Sequence, residues 1–543
     1  MSENRDRREL FTMPHPIEAL ALLALFGAAV LFIISVLSVY GVQYGLDFGE
    51  GYLANMSLEL VRGNNPYHSL DRPPWIVSSY PPLFPLINGL IMSVLGPSLL
   101  PGRFIATASL IGILATSVLV LRRLGAGATV AILAAGMLLV FPWSVRWSQV
   151  VRVDTLGILF AVAALYRWIR SGRSGDCIFA AVLFAAAVLT KHSLVAAPLA
   201  CLVHAFVSRD SRRWIFLALL IILIGGSYGI LIALTGGGLY NHLVTYTANE
   251  WFLGRFTAGI GEYFKATWIL QVLAVSGFFI PGTVSGQRRL LGWYYLFANL
   301  TLIAYGLEGS DTNYFIEPLL AAALLSGLAL DALTGSSESA RPVFAGIQST
   351  RTIAYALVLI IFIVGRYIDV PLKAPPVRDG IVRKVIFVVD RYVNAPDFRM
   401  HRANGERIGN GMELIRLTAD VPGDVLSEDA SFTLLAGKKV WFQPYIMSLL
   451  SRTGKWNQDE FVSTIKDRDY SLIVLRVDLD DPYNTERSGG QFEVAGFDRW
   501  TDEMEKAIRE QYYLYGPVDA GTGNNLWYIY LPRPDEQDRP DTG

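Results

Sequence analysis

Long apolar runs, separated by short polar segments, fill the chain from its N-terminus to about residue 370. An upright helix needs roughly 20 apolar residues to cross a bilayer, and several of these runs are shorter. The pattern predicts eleven membrane-spanning helices with approximate boundaries. They correspond to residues 17–39, 104–121, 130–141, 155–168, 178–189, 194–207, 214–234, 267–280, 290–305, 315–332 and 353–364.

The distribution of lysine and arginine predicts the orientation of these helices. The segment Leu83–Leu95 is also apolar, so the orientation depends on whether it crosses. If it lies in or on the outer leaflet and the N-terminal arginines are cytoplasmic, the later basic loops also face the cytoplasm. We therefore expect a cytoplasmic N-terminus and an extracytoplasmic C-terminus. The basic loops contain Arg122, Arg123, Arg167, Arg170, Arg173, Arg209, Arg212, Arg213, Arg288, Arg289, Arg341 and Arg351.

The chain becomes more polar after about residue 371, which predicts a separate soluble domain. A proline-containing linker at 373–376 is followed by alternating strand and helix patterns, as in a small α/β domain. We expect this extracytoplasmic domain at 371–532 and a disordered, charged tail at 533–543. The expected strands are 425–426, 439–441, 470–477 and 526–531; the expected helices are one at 500–510, one capped by Asn457 and one capped within Ser427-Glu428-Asp429.

Composition agrees with a multi-pass membrane protein. Hydrophobic residues make up 52% of the 543 residues and charged residues only 17%, against about a quarter charged in soluble proteins. The formal net charge of −1 offers no nucleic-acid-binding footprint. Both cysteines lie in apolar runs, which excludes a disulfide framework. We expect residues 1–370 to be embedded in the plasma (inner) membrane, in contact with its lipids.

The first outer loop, residues 40–103, carries the most informative polar residues. Asp47 and Glu50 closely follow the first apolar run, which places two carboxylates at the water–lipid boundary without the full cost of sitting in hydrocarbon. Asp47 is the candidate general base. Glu50 could orient an acceptor or, with Asp47, hold a divalent metal. The alternative is a capping box, in which Asp47 begins a helix and Glu50 lies in its first turn.

Further ionisable groups lie at the predicted outer ends of later helices. Arg152 has a guanidinium suited to phosphate, although it could instead pair with nearby Asp154. Lys191 and His192 interrupt an apolar stretch, where a lysine is costly unless it is paired or reaches the interface. The expected partner of Lys191 is a lipid phosphate or one of the carboxylates of Asp154, Glu308 and Asp311.

A polar segment precedes the tenth predicted span and adds candidate sugar-binding groups. Asn313, Tyr314 and Glu317 could bind sugar hydroxyls. Alternatively, Asp311 or Thr312 caps the following helix and Tyr314 belongs to the aromatic belt of a membrane protein. Both interpretations are open at the level of the sequence.

Seven short motifs, in order along the membrane half, resemble the GT-C superfamily of integral membrane glycosyltransferases. The resemblance is to the bacterial relatives of protein O-mannosyltransferases and to the lipid A aminoarabinose transferases. It implies a GT-C bundle of about eleven spans with a large first outer loop, and inverting transfer from a polyprenyl-phosphate sugar. The motifs are residues 47–52, 63–67, 80–83, 102–103, 152–156, 189–191 and 312–317.

The resemblance also implies roles for residues within these motifs. Asp47 corresponds to the base, with Glu50 beside it as a second catalytic candidate, although Phe48 and Gly49 separate acidic residues that are adjacent in many relatives. The resemblance makes Lys191 and Arg152 candidates for the donor phosphate, and His192 and Arg103 are further candidate phosphate or lipid ligands independently of it. The candidate substrate ligands are Asp154, Tyr80, Asn313, Tyr314 and Glu317.

The function predicted from the sequence is transfer of a sugar from a polyprenyl-phosphate donor to a cell-envelope acceptor (glycan, lipid or protein) on the outer face of the plasma membrane. A transporter or lipid flippase is the alternative. Such proteins tend to have repeated halves and ionisable groups near the membrane midplane, and the sequence shows neither pattern. A non-catalytic membrane-anchored scaffold is a third hypothesis, which predicts that substitution of Asp47 is tolerated.

Overall fold

The computed structural model describes residues 16–170, 174–279, 285–335, 348–367, 405–480, 499–520 and 526–534. The predicted linker and residues 535–543 of the predicted tail lie outside these ranges. Within them the chain is mostly helical and contains a small four-stranded sheet in its C-terminal part. The prediction of a helical protein with several apolar helices and a C-terminal α/β region is confirmed at this level.

The membrane half contains helices α1 to α16, and short 3-10 or π turns extend several of them. The turns are Met137–Leu139, Ile221–Gly225, Asn241–Thr245, Thr301–Gly306 and Thr312–Phe315. The helices are α1 (Pro16–Tyr40), α2 (Phe48–Val61), α3 (Leu83–Leu95), α4 (Leu100–Arg123), α5 (Ala128–Gly136), α6 (Pro142–Trp147), α7 (Asp154–Arg170), α8 (Ser174–Thr190), α9 (Ala196–Val207), α10 (Arg213–Leu220), α11 (Gly226–Leu234), α12 (Gly238–Tyr240), α13 (Leu253–Phe279), α14 (Ser285–Leu300), α15 (Ile316–Thr334) and α16 (Gln348–Tyr367).

Four stretches within the described ranges are long and apolar enough to cross a membrane: α1, α4, Arg213–Leu234 and Thr312–Thr334. The last of these lies at the centre of the bundle, since 89% of its apolar window is buried, against 17% for α1 and 6% for Arg213–Leu234. The number of crossings and their direction stay predictions. Shorter apolar helices are Leu83–Leu95, Ala128–Leu139, Gly175–Thr190, Ala196–Val207 and Thr350–Val364.

Helix α3 is amphipathic and too short to span a bilayer alone. Phe84, Asn88 and Met92 are buried against the protein, whereas Leu90 and Val94 are 56% and 82% exposed. A helix of 13 residues is about 20 Å long, less than the roughly 30 Å of a hydrocarbon core. This geometry supports the prediction that α3 lies in or on one leaflet.

The C-terminal domain packs its helices around a mixed sheet. The strand order is β1-β2-β4-β3, with β1 parallel to β2 and the other neighbours antiparallel. The central strand β2 is apolar and almost completely buried. The elements are α17 (Gly405–Asp420), β1 (Asp424–Ser427), α18 (Ala430–Leu435), α19 (Pro444–Arg452), α20 (Asp459–Lys466), β2 (Tyr470–Leu475), α21 (Asp502–Gln511), β3 (Tyr512–Val518) and β4 (Trp527–Pro532).

The strands expected near residues 425, 470 and 526 are present, as are the helices expected after Asn457 and Asp429. Asp429 caps α18 by accepting a hydrogen bond from the backbone N–H of Ser431 at 2.8 Å. The expected strand at 439–441 is wrong, and β3 was not predicted. The backbone around Trp441 pairs instead with the first loop, because Trp75 N donates to Trp441 O at 2.8 Å.

The C-terminal domain packs directly on the first loop. Trp75 is buried in the domain core, 5.4 Å from the ring of Phe461. The hydroxyl of Tyr52 donates to the backbone oxygen of Glu428 at 3.2 Å. A Cβ at Gly51 would lie 2.3 Å from Ser431 N, so glycine is required for α2 to approach this closely. The interface fixes the N-terminus of α2 against both halves of the protein.

Candidate active site

Asp47 lies at the N-terminus of α2 and caps that helix. Its Oδ2 accepts a hydrogen bond from Gly49 N at 2.9 Å, and Glu50 completes a capping box. The capping box, which was the alternative interpretation of Asp47 and Glu50, is therefore formed. It does not use the full hydrogen-bonding capacity of the Asp47 carboxylate. Asp47 is 11% exposed, and the hydrogen bonds from Gly49 N and Arg152 both fall on its Oδ2. Oδ1 receives neither of these bonds and is the oxygen better placed to take a proton.

Glu50 and Arg103 form an ion pair with no exposed side-chain surface. Arg103 Nε and Nη2 each donate to Glu50 at 2.8 Å, and the backbone N–H groups of Leu46 and Val151 donate to the same carboxylate. This geometry does not fit the catalytic role expected for Glu50 or the phosphate-binding role expected for Arg103. Both side chains are enclosed and bonded to the protein, so the pair holds the first loop in place.

Arg152 connects Asp47 to the membrane half. Its Nη2 pairs with Asp47 Oδ2, and its Nη1 donates to the hydroxyl of Tyr80 at 3.0 Å. The guanidinium lies 5.0 Å from the centre of the Trp147 ring. The alternative Arg152–Asp154 ion pair is thus not formed. Arg152 is 16% exposed, which leaves part of the group open to a ligand.

Arg146 is a site residue that the sequence analysis missed. It lies in α6, with its guanidinium 4.9 Å from the centre of the Trp147 ring. Burial alone would raise the pKa of Asp47, but the charges of Arg152 and Arg146 lower that pKa below its usual value. The carboxylate is therefore ionised at neutral pH, as a general base must be. An arginine between Trp143 and Trp147, inside an apolar run, is the signal that could have found it.

Lys191 forms an ion pair with Asp154 at 2.6 Å, one of the expected carboxylate partners. Asn313 Nδ2 donates to the same Asp154 oxygen at 3.0 Å, and the Lys191 ammonium lies 4.3 Å from the centre of the Tyr314 ring. The other Asp154 oxygen is buried and has no hydrogen-bond partner among the described residues. This Asp154 oxygen could therefore accept a further hydrogen bond, for example from a ligand.

The two remaining predicted residues lie at the edge of this cluster. Glu317 is 5% exposed in the first turn of α15, close enough to Lys191 for their charges to interact. His192 is exposed beside Lys191. The structure thus brings residues from separate parts of the sequence into one site: Asp47, Tyr80, Arg152, Asp154, Lys191, Asn313 and Tyr314.

The residues expected to hold a divalent metal do not form a suitable ligand set. Asp47 and Glu50 are each bonded to an arginine, and cations compete directly with a metal ion for carboxylate oxygens. Across the described ranges, no group of three or more His, Cys, Asp and Glu side chains could hold a metal ion.

A cavity of about 810 Å³ lies between the first loop and the C-terminal domain. Asn55 and Glu59 of α2 line one side, and Lys438 and Lys439 line the other. Ser78 also lines it, two residues before Tyr80 of the site. Asp47, Arg152 and Lys191 do not line this cavity, so it is separate from their cluster.

Comparison with known proteins places this geometry in context. Residues 79–235 match the sequence profile of the dolichyl-phosphate-mannose-protein mannosyltransferase family. The structure resembles that of ArnT from Cupriavidus metallidurans bound to undecaprenyl phosphate, with a TM-score of 0.58 and 13% identity over 94% of this chain and 98% of that chain. This protein has the GT-C fold. The resemblance expected from the sequence motifs is confirmed.

The GT-C fold extends over both halves of the chain. The apo form of the same ArnT gives a TM-score of 0.57 at 12% identity, again over 94% of this chain and 98% of that chain. The oligosaccharyltransferase of Archaeoglobus fulgidus tethered with an acceptor peptide gives 0.50 at 11% identity, over 95% of this chain and 75% of that chain. No curated protein matches the sequence significantly.

Proposed function

We propose that the protein is a membrane glycosyltransferase that transfers a sugar from a polyprenyl-phosphate donor to a cell-envelope acceptor, with Asp47 as general base. The observation that carries this proposal is an ionised Asp47 carboxylate, with one oxygen outside its arginine pair, beside cationic groups within a GT-C fold. The reaction takes place on the outer face of the plasma membrane. The acceptor is a glycan, lipid or protein hydroxyl.

The cations of the membrane half would hold the donor phosphate. Arg152 and Arg146 interact electrostatically with Asp47, and the Lys191 ammonium lies 4.3 Å from the centre of the Tyr314 ring. Aromatic rings there offer apolar surface for a sugar. The crystal structure of ArnT from Cupriavidus metallidurans, which has a similar fold, contains bound undecaprenyl phosphate. This supports a lipid phosphate as the leaving group of the donor in the present protein.

The proposed reaction is a single inverting displacement. The acceptor oxygen forms a bond to the anomeric carbon as the bond from that carbon to the phosphate oxygen breaks. The acceptor's proton passes to Asp47 Oδ1, and the polyprenyl phosphate leaves with the bonding electrons. Arginine forks suit the phosphate oxygens that gain this charge. A phosphate that attracts Arg152 would also weaken its bond to Asp47 and raise the basicity of that carboxylate.

Replacement of Asp47 by asparagine tests the proposal. Asparagine is nearly isosteric and also caps helices well, so folding should be retained while the base is lost. We expect transfer from synthetic undecaprenyl-phosphate sugars to acceptor-containing membranes to fall about 10²–10⁴-fold. Thermal stabilisation by undecaprenyl phosphate should persist.

The matched control is Asp71→Asn, which alters an exposed carboxylate in the same loop and should leave transfer unchanged. A transporter, flippase or scaffold does not need a proton acceptor at Asp47. Transfer at the wild-type rate by the Asp47→Asn protein would therefore remove Asp47 from the mechanism.

A further inference from the structure

Arg476 of the C-terminal domain is a half-buried cation that forms no salt bridge with any residue the structure describes. It follows β2, and its guanidinium lies 4.6 Å from the centre of the Trp527 ring. Its Nε is buried and has no hydrogen-bond partner among the described residues. Burial, and then repulsion from Arg499, lower the pKa of Arg476 below its usual value. The carboxylates of Asp429, Glu428 and Asp47 attract this cation without a direct ion pair. A partly buried arginine of this kind gains stability when an anion binds to it directly.

The neighbouring carboxylates are already engaged by other groups. Glu428 pairs with Arg499 through one oxygen, and its other oxygen accepts the backbone N–H of Arg476 at 2.9 Å. Asp429 caps α18 through Ser431 N. None of these bonds uses the Arg476 guanidinium, so within the described part of the chain these carboxylates attract the cation without a direct ion pair.

Asp47 is near cations of both halves of the protein. Arg476 and Arg152 both interact electrostatically with Asp47. Arg152 also interacts with Asp154, the partner of Lys191. In an in-line displacement the donor phosphate and the acceptor occupy opposite sides of the reacting carbon. If the phosphate lies on the Lys191 side, the acceptor approaches from the side of Arg476.

We propose that Arg476 binds an anionic group of the acceptor, a phosphate or a carboxylate, and places its hydroxyl beside Asp47. This inference rests on the proposed glycosyltransferase function and assigns the acceptor to an acidic class. Arg499 pairs with Glu428, and it stacks 4.9 Å from the centre of the Phe48 ring, next to Asp47. Arginine matches both anions because its planar fork can donate two parallel hydrogen bonds.

The test uses the full-length protein in detergent, saturated with undecaprenyl phosphate to fill the donor site. Binding of glucose 6-phosphate, glucuronate and neutral glucose is then measured by titration calorimetry. We expect one of the two anionic sugars to bind, glucose to bind much more weakly, and Arg476→Gln to weaken the anionic sugar about 10- to 100-fold. Which anion binds distinguishes a phosphorylated from a carboxylated acceptor.

Two variants separate ligand binding from a structural role. Arg416→Gln alters an arginine whose side chain is 71% exposed in the same domain and should bind like wild type. Arg476→Lys keeps the charge and should recover part of the affinity, even if Arg476→Gln folds poorly. The proposal would be overturned if the wild-type protein and a folded Arg476→Gln or Arg476→Lys protein bound the sugars equally well. In that outcome none of these proteins would prefer the anionic sugars to glucose.

The same experiment shows whether the proposed polyprenyl-phosphate donor or the proposed acceptor-binding role of Arg476 is wrong. Absence of stabilisation by undecaprenyl phosphate in the wild-type protein would count against the proposed donor. A wild-type protein that binds the lipid phosphate but discriminates neither anion from glucose would count against Arg476 alone. With a natural acceptor, Arg476→Gln should raise the KM for acceptor and change kcat far less.

Discussion

Asp47 and Glu50, two acidic residues of the first loop, differ in how many carboxylate oxygens their arginine partners leave available. Arg103 encloses Glu50 completely, so that carboxylate can contribute only to structure. Arg152 binds one oxygen of Asp47 and leaves the other available. A charge-assisted pair at a partly exposed position can be exchanged for another anion at modest cost, whereas a fully buried pair cannot. Chemistry is therefore possible at Asp47 and not at Glu50.

The Lys191–Asp154 pair leads to a prediction about stability. Replacing Lys191 by methionine leaves a buried carboxylate without its cation, which typically costs about 3–5 kcal/mol. We expect a lower melting temperature in lipid-free detergent and weaker stabilisation by undecaprenyl phosphate. Differential scanning fluorimetry with and without the lipid measures both effects.

The double variant Lys191→Met/Asp154→Leu is the control, because replacing both members of a buried pair by apolar residues is often nearly neutral. It should recover much of the lost stability and none of the lipid response. Wild-type lipid stabilisation in the single variant would show that the donor phosphate is held elsewhere.

Sequence patterns predicted most of the site's polar residues because charges at the ends of apolar runs are costly and therefore few. Arg152 and Lys191 were found in this way and Tyr80 through the motif at 80–83, and the three meet in the structure. The ion pairs between these residues could not be predicted, because the spacing of residues along the chain does not show which side chains are buried together. Arg103 thus could not be distinguished from a phosphate ligand, whereas Arg146 was missed although its place in an apolar run was a usable signal.

At the scale of elements, helix α2 carries the catalytic candidate and is positioned by the C-terminal domain. Its contact with the first turn of α18 depends on the absence of a side chain at Gly51. Local patterns predicted β1, β2, β4 and α20, which bury their own apolar faces. They failed at Trp441, whose backbone bonds to Trp75 in a distant segment of the chain. Propensity describes local preference and cannot reveal such a partner.

Gly51→Ala should separate α2 from the C-terminal domain. The new methyl group would meet backbone atoms at 2.3 Å, and overpacking of this kind typically costs about 1–3 kcal/mol. We expect a lower melting temperature and a loss of transfer, because Asp47 moves with α2.

The same substitution at Gly261, in an open position of α13, is the control and should be neutral or slightly stabilising. Melting curves and transfer assays on both proteins test this. Equal behaviour of the Gly51→Ala and Gly261→Ala proteins would contradict the proposed docking role of α2.

For the whole molecule, the contact between the first loop and the C-terminal domain requires both to lie on the same side of the membrane. If α1 crosses from a cytoplasmic N-terminus, as the arginine distribution predicts, both lie outside. Proteinase K added to intact spheroplasts should then remove a tag at the C-terminus and leave one at the N-terminus intact. A protected C-terminal tag would contradict the orientation and the proposed outer-face reaction.

The contact between α2 and the C-terminal domain also has a consequence for the timing of biosynthesis. Gly45 N donates to the Ser431 hydroxyl, a residue 386 positions later in the chain. At about 5–20 residues per second, the ribosome needs roughly 20–80 s to cover that distance. During this interval the segment around Asp47 is already made, while the surface that orients it does not yet exist. A chain released early would be inserted and yet inert, so the order of translation itself delays the onset of activity until the last domain is complete.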